Sequence, residues 1–116
     1  MPKEVDAITK LYDLILWIIP KLEKYPRSHK FLIADRIENL LLDILDLLIE
    51  AAYTKNKFHL LNSTNLKLEK LRYLIRISKD LKFINLKAYE NSSRFINGIG
   101  ISVGGWLKYS KNEESQ

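Results

Sequence analysis

Few residues in this 116-residue chain have the types and spacing that covalent chemistry needs. There is no cysteine, which excludes a disulfide framework and a thiolate metal site. The two histidines, His29 and His59, lack a carboxylate at ligand spacing, and the Glu-x-x-His pattern that holds di-iron in helical bundles is absent. Both therefore read as surface histidines. Ser28 directly precedes His29, so the two are sequence neighbours and not a nucleophile with its base. No glycine-rich loop follows a strand pattern, so Gly98, Gly100, Gly104 and Gly105 form no phosphate cradle. The expectation is a protein that is not an enzyme and carries neither metal nor cofactor.

The chemistry that does stand out is electrostatic. The net charge is +5, and residues 54–89 hold nine basic groups against two acidic ones, while residues 27–53 hold three against five. The whole excess thus sits on the third quarter of the chain, which points to a polyanionic or acidic partner. Arg72, Arg76 and Lys79 stand at i, i+4 and i+7, so on a helix they share one ridge, with Lys67, Lys70, Lys82 and Lys87 adding to the field. Lysine and arginine on a rigid face are what phosphate contacts require. No zinc finger, ribonucleoprotein motif or helix-turn-helix spacing is present, so binding to RNA or DNA would be sequence-tolerant and salt-sensitive. The same cations could instead pair with the acidic segment before them. Arg36, Glu38, Asp43 and Glu50, together with Trp106, are the expected ion-pair or subunit-interface positions, and the arginines are the natural partners for a half-buried Glu38. On residue pattern alone both readings stay open.

Four amphipathic helices must position these groups. The first is expected over about Glu4–Glu23, with Ile8, Leu11, Tyr12, Ile15, Ile18, Ile19 and Leu22 inward and Pro20 disturbing its last turn. The second starts from an N-cap at Ser28 and runs to about Tyr53, with Ile33, Ile37, Leu40, Leu41, Ile44, Leu48 and Ala51 inward. On another side it carries a second apolar patch of Phe31, Leu42, Ile49 and Tyr53. The third is expected from near Asn56 to about Ile84. Its inward stripe is Leu71, Leu74, Ser78 and Leu81, flanked by Leu66, Tyr73, Ile77 and Ile84 on one side and by Leu68 and Ile75 on the other. That arc is wider than a monomer's surface helix needs, which implies a subunit contact. The fourth is expected from Leu86 to Tyr109, with Tyr89, Ser92, Ile96, Ile99, Val103 and Leu107 inward. Ser93, Gly100 and Gly104 form a small-residue flank there. Short connections make this an all-α, antiparallel up-down-up-down four-helix bundle. One domain is expected over residues 1–110, with a disordered polar tail at 111–116. The N-terminus lacks a signal peptide's basic-then-apolar order and no apolar run could span a bilayer, so the expected location is cytoplasmic.

The order PRSHKFLIADRIENLLLDILDLLIEAAY, then LEKLRYLIRISKDL, then AYENSSRFINGIGISVGGWLK resembles the accessory variability determinant (Avd) proteins of diversity-generating retroelements. These group with the four-helix intervening-sequence proteins of large-subunit ribosomal RNA. The likeness spans about Leu11–Lys108, and its most specific parts are Arg36-Ile37-Glu38, Leu68-Glu69-Lys70-Leu71-Arg72, Lys79-Asp80-Leu81 and Gly104-Gly105-Trp106-Leu107-Lys108. The resemblance implies a homopentamer in which bundles pack into a tapered, basic barrel. It also implies binding to the retroelement's reverse transcriptase and to nucleic acid, in support of adenine-directed mutagenic copying of a template RNA. Arg72, Arg76 and Lys79 would then serve partner binding or subunit pairing. Two rivals are a stand-alone nucleic-acid-binding bundle of the intervening-sequence type and a purely structural assembly protein.

Overall fold

Leucine and isoleucine at three- and four-residue spacing fold the chain into four long helices, and no strand occurs among the described residues. The structure, a computed structural model, describes the backbone of residues 3–114 and the side chains of residues 6–110. Helix α1 (Lys3–Leu22) buries Ala7, Leu11, Leu14, Ile18 and Leu22, a continuous 3.6-period stripe. The stripe is rotated from the expected one: Leu14 is inside, and Tyr12 is 57% exposed. Pro20 sits within the helix, which continues past it to Leu22.

The chain then turns through Tyr25, which is buried against Phe83 with ring centroids 5.3 Å apart. Burial pushes the Tyr25 phenol above its ordinary value. A short turn at Arg27–His29 and a π-helical turn at Lys30–Ala34 lead into α2 (Asp35–Tyr53). Ser28 does not cap this entry. Pro26 holds the N-cap position with no side-chain bond, and Ser28 Oγ lies 2.9 Å from His29 Nδ1 instead. The adjacent Phe31 and Leu32 of the π turn are both exposed. In α2 itself Ile37, Leu41, Ile44, Leu48 and Ala51 are buried as expected, with Ile33 and Leu40 packed at the margin of the core.

Helix α3 (Phe58–Asp80) starts early, with nothing to break it after Lys57. It ends sooner than the apolar pattern implied, so Leu81 and Ile84 lie in the following turn. The Lys82 N–H donates to the Lys79 carbonyl at 2.9 Å, and the Phe83 N–H donates to the Ser78 carbonyl at 2.8 Å. This is a Schellman ending, with Lys82 at φ 67° where glycine is the usual occupant. Asn85 Oδ1 then accepts from the Ala88 N–H at 2.8 Å and caps α4 (Leu86–Glu114). Helix α4 passes all four glycines without a break and continues to Glu114. The tail expected to be disordered is therefore helical through that residue, and 115–116 lie outside the described residues.

Helix α1 packs on α2 and α4, and α3 packs on α2 and α4, so the four helices close a ring around one core in a molecule 51 Å along its long axis. Among the described residues no helix is long and apolar enough to cross a membrane. Apolar surface nevertheless remains outside. Leu42, Ile49 and Tyr53 line the outer side of α2, and Leu66, Tyr73 and Ile77 line the outer side of α3.

Candidate basic binding face

Helix α3 carries most of the expected site, and its geometry decides where each cation goes. Leu60, Leu61, Thr64, Leu68, Leu71, Ile75 and Ser78 face the core. Thr64 and Ser78 are tolerated there because their hydroxyls donate back to the Leu60 and Leu74 carbonyls at 2.9 and 2.8 Å. With the core side fixed, 100° per residue sends Arg72, Arg76 and Lys79 toward α4 and Lys67 and Lys70 toward α2. The expected single field is thus divided between two faces.

On the α4 side the three ridge residues differ in freedom. Arg72 is half-buried. Its Nη1 donates to Asn97 Oδ1, and its Nη2 passes over Gly100, where an added Cβ would stand 3.5 Å away. Its Nε lies 3.0 Å from Glu69 Oε1, yet the N–H is not aligned for a hydrogen bond and Nε has no other partner. Arg72 is therefore a strut between α3 and α4. Lys79 lies 3.5 Å from Asp80 and sits 4.6 Å from the Tyr89 ring centroid, a cation–π contact that aims it along α4. Arg76 stands between them, exposed, with no ion pair among the described residues. Lys82 projects from the left-handed turn. Lys87 lies in the first turn of α4, which has no acid and where a cation opposes the helix dipole.

On the α2 side, Arg36, Asp43, Lys67, Lys70 and Tyr73 line a groove of about 550 Å³. Lys67 reaches Asp43 Oδ2 at 3.6 Å, which is the one ion pair joining α2 and α3 among the described residues. Glu38 is half-buried but has no ion pair there, because Arg72 and Arg76 face away from α2. The expected pairing of Glu38 with an arginine of α3 is thus not formed among the described residues. Glu50 is exposed and lines a hollow with Asp46, Ile49, Tyr53 and Thr54. Trp106, expected at an interface, is 2% exposed within one chain and belongs to the core, with Lys57 Nζ 5.3 Å from its ring centroid.

The model of the family described as bAvd-like matches residues 7–110, all but the two ends of the chain. The chain belongs to the bAvd-like family. That membership agrees with the resemblance to accessory variability determinant proteins. No curated protein matches the chain.

Two features of this bAvd-like bundle escaped sequence reasoning. Lys10 Nζ meets Asp6 at 3.0 Å and Ser102 Oγ at 2.9 Å, and Ser102 Oγ donates to Asp6 Oδ2, tying α1 to α4. The Ser102 bond and the Lys10 ammonium hold the Asp6 carboxyl below its ordinary value. With a paired, charged lysine this trio is a clamp and not an activated serine. Asn97, the seat of Arg72, is the second. In both, the tie to α4 joins residues far apart in sequence, although Asp6 and Lys10 stand at the i,i+4 spacing of a helical ion pair. Among the described residues no cluster of His, Asp and Glu could hold a metal ion.

Proposed function

We propose that this bAvd-like chain is a non-enzymatic accessory protein of a diversity-generating retroelement. It acts in the cytoplasm as a homopentamer of up-down-up-down bundles. Its basic surface holds reverse transcriptase and template nucleic acid together during mutagenic copying. The observation that carries this reading is charge left unanswered by the fold. Only Lys67–Asp43 joins the basic helix to the acidic one among the described residues, and Lys70, Arg76, Lys82 and Lys87 are exposed without ion pairs. Ordinary interhelix pairing therefore does not account for the excess, and a polyanionic partner does. Arg76, Lys79, Lys82 and Lys87 gather at the α3–α4 end of the bundle and are the residues assigned to that contact. Arg72 supports them.

The test is co-purification with the reverse transcriptase, alongside fluorescence anisotropy with RNA and DNA at rising salt. The Arg76→Ala/Lys79→Ala double variant should assemble normally, lose the polymerase and bind nucleic acid more weakly. Unchanged capture and unchanged binding in that variant would remove the proposed surface. Light scattering should give about 68 kDa, five copies of 13.6 kDa.

A further inference from the structure

A groove of about 380 Å³ lies between α1 and α4, away from the basic helix, and is lined by Lys10, Asp13, Asn91, Arg94, Phe95 and Gly98. Its floor is apolar. Phe95 packs on Trp17 of α1 with ring centroids 5.5 Å apart. A Cβ added to Gly98 would stand 3.7 Å from Lys10 Cδ, so the bare backbone there lets the lysine stem lie close. The Lys10 ammonium is already answered, by Asp6 at 3.0 Å and Ser102 Oγ at 2.9 Å. Two charges of opposite sign remain on the rim: Asp13 from α1 and Arg94 from α4, both exposed. They line one space yet form no ion pair with each other among the described residues. Glu90, one turn before Arg94 on the outer side of α4, does not pair with it either. Arg94 Nη1 donates to Asn91 Oδ1 at 3.2 Å, which steadies the guanidinium and leaves its other N–H groups free.

We infer that this groove seats an unpaired guanine base. A carboxylate on one wall, a guanidinium on the other and an apolar floor between them call for a flat ligand with donors on one edge and acceptors on another. Guanine has that pattern. Its N1–H and N2–H groups would donate to the two oxygens of Asp13, and its O6 and N7 would accept from the fork of Arg94. Its ring would lie on Phe95 and Gly98. Adenine turns the N1 lone pair toward the carboxylate and offers only one donor beside it. A bare phosphate would meet the like charge of Asp13. An amino acid carries both of its charges at one end, not on opposite walls. The volume is within the roughly 300–1,000 Å³ of pockets that hold small organic ligands. A guanine in a duplex has its donor edge occupied, so only a free guanine nucleotide or a single-stranded residue could enter. This site goes beyond the function proposed above, since it uses neither the basic face nor the assembly of copies.

Two titrations of the full chain test it. Calorimetry compares guanosine monophosphate with adenosine monophosphate. Anisotropy compares an oligothymidine carrying one guanine with an all-thymine strand of the same length. A good bidentate contact discriminates by about tenfold or more, and that preference is expected for guanine in at least one of the two. Preference for the free nucleotide identifies a soluble guanine ligand, and preference in the strand alone identifies a single-stranded residue. Asp13→Asn, which replaces an acceptor with a donor, should abolish the preference, and Gly98→Leu, which fills the floor, should do the same. Arg94→Ala serves in place of Gly98→Leu should that variant lose its helical circular dichroism. No guanine preference in either titration overturns the inference, and so does a preference that survives in both Asp13→Asn and Arg94→Ala. In either case the basic-face reading stands. Guanosine monophosphate binding in a chain that holds no RNA or DNA strand would support the groove and remove the proposed function.

Discussion

The division of labour between Arg72 and Arg76 makes a sharp prediction, because the two sit one turn apart on the same ridge. Arg72 is half-buried, hydrogen-bonded to Asn97 and within 3.0 Å of Glu69. Replacing it with alanine removes one charge-assisted bond and one partly screened ion pair, and water replaces the guanidinium at exposed Asn97. The expected loss is about 1 kcal/mol, which for a domain of this size lowers Tm by roughly 4 °C. Arg76 is exposed and unpaired among the described residues, so Arg76→Ala should change stability by less than about 0.5 kcal/mol. In nucleic-acid titrations the order reverses. Losing one phosphate contact reduces the slope of log affinity against log salt by about 0.7 on single strands and about 0.9 on duplex. Arg76→Ala should show that change, and Arg72→Ala should show little of it once the folded fraction is corrected for. Thermal melts and anisotropy at four or more salt concentrations, on the same preparations, give both numbers. A reduced salt slope for Arg72→Ala with an unchanged Tm would refute the assignment of Arg72 as a strut. An unchanged slope for Arg76→Ala would remove Arg76 from the binding surface.

Lys82 holds a left-handed conformation at φ 67°, which penalises a residue with a Cβ. Lys82→Gly should therefore stabilise the chain by about 1 kcal/mol in urea unfolding, despite deleting a charge. Gly104 is helical, and an added Cβ there meets nothing within 4 Å, so Gly104→Ala should raise the stability of the isolated chain by about 0.5–1 kcal/mol. Asp6 is held below its ordinary carboxyl value of 3.8, first by Ser102 and then by Lys10. A group depressed on folding contributes fully above its unfolded value and loses that contribution as pH falls through its folded value. Unfolding followed from about pH 5 downward should show an acid-side loss that shrinks in Ser102→Ala.

The apolar periodicity made the helices legible, because a stripe at three- and four-residue spacing has only one way to be buried. It also separated Phe31, Leu42, Ile49 and Tyr53 from the core of α2 and set Leu66, Tyr73 and Ile77 beside the core of α3. All of these are exposed in the fold. The basic ridge was legible as a spacing but not as a site, since the sequence could not say that α4 lies against one edge of α3 and α2 against the other. That placement turns Arg72 into a strut and leaves Glu38 without its expected arginine. Trp106 lies in the core because the buried stripe of α4 takes in Ser102, Val103 and Trp106, whereas the expected stripe runs through Val103 and Leu107. Ser102 joins the local Asp6–Lys10 pair from the far end of the chain, a contact that no short-range pattern encodes.

The basic helix bears two outward features that pure fold stability does not explain. Lys70 and Arg76 stand exposed without ion pairs among the described residues, and Leu66, Tyr73 and Ile77 stay in water although apolar side chains favour burial. Because both lie on the outer half of α3, joining copies along the apolar line would concentrate cations beside the joint. Salt separates the two effects. At 1 M the Debye length falls to about 3 Å, so phosphate contacts are largely screened, whereas apolar burial is not weakened by an ordinary salt. Light scattering at 1 M sodium chloride should therefore still show the assembled species, in a solution where anisotropy no longer detects bound RNA. Dissociation to monomers at 1 M salt would mean that charge holds the copies together, and the apolar lines would then need another explanation.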